Sequence, residues 1–262
     1  MKIGMLTNPV EDILKEIERA HKLGFNLVEI GIEPPRGNPE LLMAKKGSIL
    51  QAIKKHRLSV VGHTAWWCDL GSPIEELRRV WIEEAKNYVD TANALGIKLL
   101  NFHAYHIGTF MKVSEFRQQV LAGFVDSLEE LMGYAKPFGI RLMLENDPGK
   151  MKFKDFRYII DQLPGLGVHL DVGHAFINGG MKEISKFINT FKDNVVHVHM
   201  HDNNGKEDEH IAIGKGNIDY GKVVRQLKKT GYDKAITLEV FHGGDKALVS
   251  SRKMIEKMWK KK

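Results

Sequence analysis

The chain has one cysteine, Cys68, among 262 residues. A single cysteine excludes an internal disulfide framework, and any metal held by this chain would have to be held without a thiolate cluster. No apolar run reaches the roughly 18 residues that a membrane-crossing helix needs. The opening stretch "MKIGMLTNPVEDILKEIE" passes from an apolar segment into an amphipathic, acid-bearing pattern. It lacks the long apolar core and small-residue cleavage site of a signal peptide. These absences together lead to the expectation of a cytoplasmic protein with no membrane partner. No glycine-rich dinucleotide fingerprint follows the first apolar segment. No long linker or low-complexity tract divides the chain.

What is present fits an ordinary globular domain. Hydrophobic residues make up 43% and charged residues 27%, which is enough to bury a core. The formal net charge is +6 and the pI about 9.2. A basic balance attracts phosphates, which makes nucleic acid a candidate partner. Lys/Glu-rich helices coating a thermostable protein would give the same number, and much of the excess lies in the final "KMWKKK".

Short Val/Ile/Leu-rich runs alternate with longer helical patterns. The strand candidates are "KIGMLT" from Lys2, "NLVEIGIE" from Asn26, "LSVVGHTA" from Leu58 and "KLLNFHAY" from Lys98. They continue with "RLMLEN" from Arg141, "GVHLDVGH" from Gly167, "VVHVHMHD" from Val195 and "AITLEVF" from Ala235. Such runs suit a parallel sheet buried on both faces. Between them, Ile13, Leu14, Ile17, Ala20 and Leu23 recur at helical spacing. A Ser-Pro pair at Ser72 signals one helix start, and Ser114 is the expected cap of another. Strand and helix alternate eight times with short connections. The predicted architecture is one (β/α)₈ TIM barrel of the α/β class spanning 1–262, with an open doubly wound sheet as the alternative.

In such a barrel the active site forms where the strands end at their C-termini. His63 falls near the end of the third strand and His103 near the end of the fourth. Glu145 closes the fifth, and Asp171 with His174 the sixth. His199 lies late in the seventh, Asp208 and His210 in the loop after it, and Glu239 late in the eighth. Imidazole and carboxylate are ligands for zinc or manganese. Carboxylates converging on one barrel end would repel one another unless a cation lay between them. His197, His199 and His201 share parity on the seventh strand. Depth separates them: His199 is the ligand candidate, His197 a deeper hydrogen-bonded core residue, and His201 a rim residue supporting a ligand or the substrate. Asp202 could orient a ligand or cap a turn.

The segments "GHTAWWCDLGSP", "NFHAYH", "LENDPG", "LDVGHAF", "HMHDNNGKEDEHIAIGKGNID" and "ITLEVF" resemble, in that order, the endonuclease IV group of the xylose-isomerase-like barrels. The resemblance implies a zinc-dependent endonuclease that acts on duplex DNA at abasic sites and carries three Zn²⁺. His63, His103 and Glu145 would hold the first ion. Glu145, Asp171, His199 and Glu239 would hold the second, and His174, Asp208 and His210 the third. It further implies that Trp66 and Trp67 enter the base stack and that Arg36 reaches the minor groove. A hydrophobic lid over a small substrate is the other use for the tryptophans. The subset Glu145, Asp171, His199 and Glu239 is also similar to that of sugar isomerases and epimerases of the same superfamily. Those bind one Mn²⁺, Mg²⁺ or Co²⁺ and act on a small sugar or sugar phosphate, and there Glu145 and Glu239 would be the catalytic acid and base. Compared with the endonucleases, "ENDPGK" is shorter than the Gly-rich stretch after the fifth-strand glutamate.

Overall fold

A computed structural model describes residues 1–104, 109–148 and 151–261. The motif segments "NFHAYH" and "LENDPG" run partly outside them. Eight strands follow in chain order: β1 (Lys2–Leu6), β2 (Leu27–Ile32), β3 (Ser59–Thr64), β4 (Leu99–His103), β5 (Arg141–Glu145), β6 (Gly167–Asp171), β7 (Val195–Met200) and β8 (Ala235–Leu238). They close into a barrel in sequence order, and β1 pairs with β8 in the same parallel sense as every other neighbour. The expected (β/α)₈ architecture is therefore the observed one, and the open sheet is excluded.

Helices α1 (Ile13–Lys22), α2 (Pro39–Ala44), α3 (Lys46–His56), α4 (Glu75–Ala94), α5 (Ser114–Ala135), α6 (Phe153–Gln162), α7 (Val172–Thr190), α8 (Tyr220–Lys229) and α9 (Gly244–Lys260) pack outside the barrel. Asp12 caps α1 by accepting from the amides of Leu14 and Lys15. Two helix starts differ from expectation. Ser114 is already inside α5, whose N-cap is Val113 with no side-chain hydrogen bond. Ser72 lies ahead of α4 and accepts from the amide of Ile74, which is itself the N-cap. Ser114 comes one residue after the extended cap Val113 and Ser72 two residues before the extended cap Ile74, offsets that the apolar spacing could not resolve. Gly179 and Gly180 break α7 into two pieces; at Gly180 φ is 64°, in the left-handed region that glycine tolerates.

Side-chain alternation along the strands places one parity inside the barrel. At its lower end Leu27, Val61, Met143 and Val196 form a small apolar cluster with Leu99 and Ala235 packed on it. Two residues further along several of these strands the same parity turns polar, at Glu29, His63, Asn101, Glu145 and Thr237, all buried. β7 carries an extra residue against β6, because Val168 pairs with Val195 but His169 pairs with His197. Beyond that irregularity His197, His199 and His201 all face inward. The apolar residues of the other parity meet the helices in the main core. Among the described residues no helix is long and apolar enough to cross a membrane.

Phe156 of α6 is 1% exposed and lies 5.4 and 5.5 Å, ring to ring, from Phe187 and Phe191. Phe156→Ala would leave a cavity in this aromatic layer and is expected to cost about 3–5 kcal/mol. Urea unfolding should show a lower midpoint with an unchanged slope.

Candidate metal centre

All nine predicted ligands come together at the C-terminal end of the barrel. Register fixes the levels: His63 is opposite Asn101, His103 opposite Glu145, and Asp171 opposite His199. Among the described residues five sets of donor atoms have all members within 4.8 Å of one another; two are His169 with His197 and His199, and His63 with His199 and Glu239, and the other three match the expected sets. His63, His103 and Glu145 form the first. Glu145, Asp171, His199 and Glu239 form the second. His174, Asp208 and His210 form the third, and His201 joins them there.

In the first set the Nε2 atoms of His63 and His103 are 3.2 Å apart, and Glu145 Oε2 lies 3.9 Å from His63 and 3.8 Å from His103. Asn101 donates to that same oxygen at 2.5 Å and so fixes the carboxylate. In the second set His199 Nδ1 stands 3.2 Å from Glu239, 3.6 Å from Glu145 Oε1 and 3.9 Å from Asp171. Glu145 thus turns one oxygen to each set.

The third set depends on a loop. Asp202, at the end of β7, pairs with Ile211 through both backbone groups. Its carboxylate accepts from the amides of Asn203, Gly214 and Ile218. That ties the two ends of the β7–α8 connection together, so the segment between them, carrying Asp208 and His210, projects over the barrel mouth. His210 adopts φ 44°, a left-handed conformation rare outside glycine. Its Nδ1–H donates to the Glu239 carbonyl at 2.9 Å. His174, in the first turn of α7, donates its Nδ1–H to the Asn146 carbonyl at 2.9 Å. With those nitrogens engaged, the Nε2 atoms face Asp208 Oδ2 at 3.1 Å (His174) and 3.0 Å (His210). Asp171 caps α7 by accepting from the His174 amide at 2.6 Å. Asn146 clamps β5 to β6 through reciprocal bonds with the backbone of Asp171.

These residues fit divalent metal ions. Each donor imidazole whose second nitrogen is hydrogen-bonded has its ring orientation fixed with the other nitrogen turned toward carboxylates, the usual arrangement behind a metal ligand. His199 follows the same rule: its Nε2 meets Glu29 at 3.0 Å, leaving Nδ1 toward the second set. Glu145 Oε1, Asp171 Oδ2 and His63 Nδ1 are buried with no hydrogen-bond partner among the described residues. Such atoms are costly unless something satisfies them. The metal-free electrostatics show the strain. Burial, then the charge of His103, pushes His63 down to about 3. Burial also lifts Glu145 to about 7, against the pull of His103 and His199. Burial opposes charge on His210, yet the neighbouring carboxylates Glu239 and Asp208 raise it to about 9. Asp208 is depressed in turn: burial works against its ionisation, and hydrogen bonds from His174 and His210 outweigh it.

Other predicted residues are placed as follows. His197 is fully buried and bonds Glu29 and Thr237, each at 2.9 Å, as a structural core histidine would. His201 is not at the rim but fully buried, because the bulge and the overlying loop cover the strand end. Trp66 is 46% exposed and lines the mouth, whereas Trp67 packs against the core, so the two are not an equivalent pair. Arg36 is exposed in the loop after β2.

Sequence reading missed Glu29, Glu33 and His169. Glu29 is buried between His197 and His199 and stays ionised because their charges outweigh burial. His169, one level below Asp171, lies 3.2 Å from Glu145 Oε2. Glu33, raised by burial to about 7, stands 4.0 Å from His63. Shared parity with a predicted ligand was the available signal: His169 precedes Asp171 by two, and Glu29 is the one acid inside an otherwise apolar strand.

The mouth encloses a cavity of about 650 Å³ lined by His63, Glu145, His210 and Glu239 with Trp66 and Phe241 at its opening. A closed parallel barrel with this buried donor set defines a metal-dependent barrel enzyme. The chain belongs to the xylose isomerase-like TIM barrel family, whose model matches residues 17–258. It is similar to an uncharacterized protein of Methanocaldococcus jannaschii, 32% identical over 246 residues, covering 91% of this chain and 92% of the relative. "Probable endonuclease 4" of Aquifex aeolicus is 30% identical over 241 residues, 82% of each chain. Among solved structures, a D-tagatose 3-epimerase-like protein is 25% identical with a TM-score of 0.85, covering 98% of this chain and 97% of that one.

The pKa of His210 gives a pH test. A proton held to about 9 in the folded chain, against about 6.5 unfolded, stabilises the metal-free fold below pH 6.5. That increment is lost as the pH rises through 9. An ion entering the third set at pH 7 must displace this proton. Zinc added to metal-free protein in weak buffer at pH 7 should therefore release protons, and affinity should rise toward pH 9. Uptake without proton release would refute the charged state of His210.

Proposed function

We propose that this chain is a metal-dependent phosphodiesterase that incises duplex DNA at abasic sites, with three zinc ions in its centre. The observation that carries this reading is the third donor set, His174, Asp208 and His210 at 3.0–3.1 Å. A sugar enzyme working through one ion at Glu145, Asp171, His199 and Glu239 would use His174 to contact the sugar and would leave Asp208 and His210 with only secondary roles. The 30% identity to a protein named as an endonuclease 4 supports the same choice, and so does the net charge of +6.

Ions held here would supply positive charge for the developing charge on phosphate oxygens and would acidify an attacking water. The chain does the rest. Glu145, locked by Asn101 and facing both sets, holds them at one spacing. His199 is aimed by Glu29, and His210 by the Glu239 carbonyl. Trp66 offers an exposed aromatic face at the mouth, where an unpaired base or sugar can stack. Glu239, depressed below the ordinary carboxylate range by His199 and His210 despite its burial, stays available as a negative ligand.

A second reading is a sugar isomerase or epimerase. It is favoured by the likeness to the D-tagatose 3-epimerase-like structure and by a cavity of about 650 Å³, a size that suits a small ligand. In it Glu145 and Glu239 would move protons on opposite sides of the substrate.

Elemental analysis after purification without chelator should find close to three zincs per chain, and the protein should incise an abasic-site duplex. Glu145→Ala should abolish incision and lose bound metal. One ion per chain together with epimerisation of a ketose would select the second reading. Trp66→Ala should weaken abasic-duplex binding by about 1–3 kcal/mol, the worth of one stacked base, with metal content unchanged. Unaltered DNA binding in that variant would remove the stacking role.

A further inference from the structure

His199, His174 and His210 each have one nitrogen held, by Glu29, the Asn146 carbonyl and the Glu239 carbonyl. His63 does not. Its Nε2 points into the first set, 3.2 Å from His103 Nε2. Its Nδ1 is buried and has no hydrogen bond among the described residues. A neutral imidazole that binds an ion through Nε2 carries its proton on Nδ1. A buried N–H without an acceptor is costly, so occupying the first set creates a demand for an acceptor behind His63.

Glu33 stands there, with Oε1 4.0 Å from that Nδ1. The backbone builds this placement. Leu27, Glu29, Gly31 and Glu33 share one parity along β2 and the residue just after it. Gly31 pairs with His63 across β2 and β3. A Cβ on Gly31 would lie 3.3 Å from Glu33 Oε1, so the missing side chain leaves the space that this carboxylate uses beside His63. The turn after β2 closes from the Gly37 amide to the Glu33 carbonyl at 3.0 Å, and the Arg36 amide ties it to the Pro9 carbonyl at 2.9 Å. A Cβ on Gly37 would strike the Gly31 carbonyl at 2.3 Å, so only glycine lets the turn fold back this closely. Glu33 is 8% exposed and belongs to none of the donor sets.

We infer that Glu33 is a positioning residue of the first metal site: its carboxylate accepts the Nδ1–H of His63 when an ion occupies Nε2, as Glu29 serves His199. A carboxylate behind an imidazole fixes the ring and makes it a stronger donor to the ion. The separation of 4.0 Å shortens by about 1 Å to reach hydrogen-bond length. β2, which supplies no ligand, thus carries the anchors of two. The inference rests on the three-ion reading of the centre, because only there is His63 a ligand.

The test titrates zinc into metal-free, full-length protein against a competing chelator and records the imidazole ¹H–¹⁵N correlations at each step. His63→Ala identifies the signals of that ring and the step that belongs to the first ion. In zinc-loaded wild type, His63 should show a slowly exchanging Nδ1–H at low field. In Glu33→Ala that proton should exchange too fast to be seen. The first ion should then be lost to the chelator about 10–100-fold more readily, with the other two ions held as before. Glu33→Gln, whose amide oxygen still accepts, should fall between. Gly31→Ala keeps Glu33 but crowds its carboxylate and should weaken the first ion in the same direction, so the result does not depend on the folding of one variant. Three zincs bound with wild-type affinity and an unchanged Nδ1–H in Glu33→Ala would overturn the anchor. So would weaker substrate binding with zinc affinity intact, which would give Glu33 to the substrate. A single zinc per wild-type chain would overturn the three-ion reading, and the anchor with it.

Discussion

Mutual repulsion of carboxylates is the constraint on which this structure turns. Glu145, Asp171 and Glu239, all buried, bring donor oxygens within 4.8 Å of one another. At that distance each pair of charges costs on the order of 3–4 kcal/mol for an effective dielectric of about 20. Two responses are built in. Imidazoles are interleaved with the acids, and the carboxylates are held on fixed strand ends so that a divalent ion can replace the protons. In the metal-free chain Glu145 and His210 depart from their ordinary ranges for different reasons: burial lifts Glu145, and the carboxylates of Glu239 and Asp208 lift His210 against its burial.

The supporting layer follows from that requirement. Where the protein occupies one nitrogen of a candidate ligand histidine, the other is left for a metal. Glu29, the Asn146 carbonyl and the Glu239 carbonyl do this for His199, His174 and His210. Asn101 and Asn146 do comparable work for Glu145 and for the β5–β6 junction. Below them the barrel is apolar at Leu27, Val61, Met143 and Val196. Polar groups are thus confined to the end of the barrel where substrate and solvent enter.

Much of this was legible from the sequence because the relevant rules are local. Eight Val/Ile/Leu runs alternating with helical spacing gave the barrel, and strand ends gave most of the candidate donors, since a closed parallel barrel sends every strand's C-terminus to one mouth. Glu29 and His169 were less visible because each looks like one polar residue within a buried strand. Their meaning appears only when register sets Glu29 against His197 and His199, and His169 against Glu145. The two tryptophans illustrate the same limit: adjacent in sequence, they part company as Trp66 faces the mouth and Trp67 the core.

By itself the sequence determined the fold, the strand ends and the set of nine donors, because periodicity of 2 and 3.6 and the chemistry of His, Asp and Glu need no knowledge of neighbours. Tertiary structure alone decided how those donors divide, with Glu145 turned to two sets and His201 joined to the third. The extra residue on β7 and the bare backbone of Gly173 under the His201 ring account for that last placement. Depth inside a barrel depends on strand register and on what the loops cover, and neither is written in the spacing of one strand.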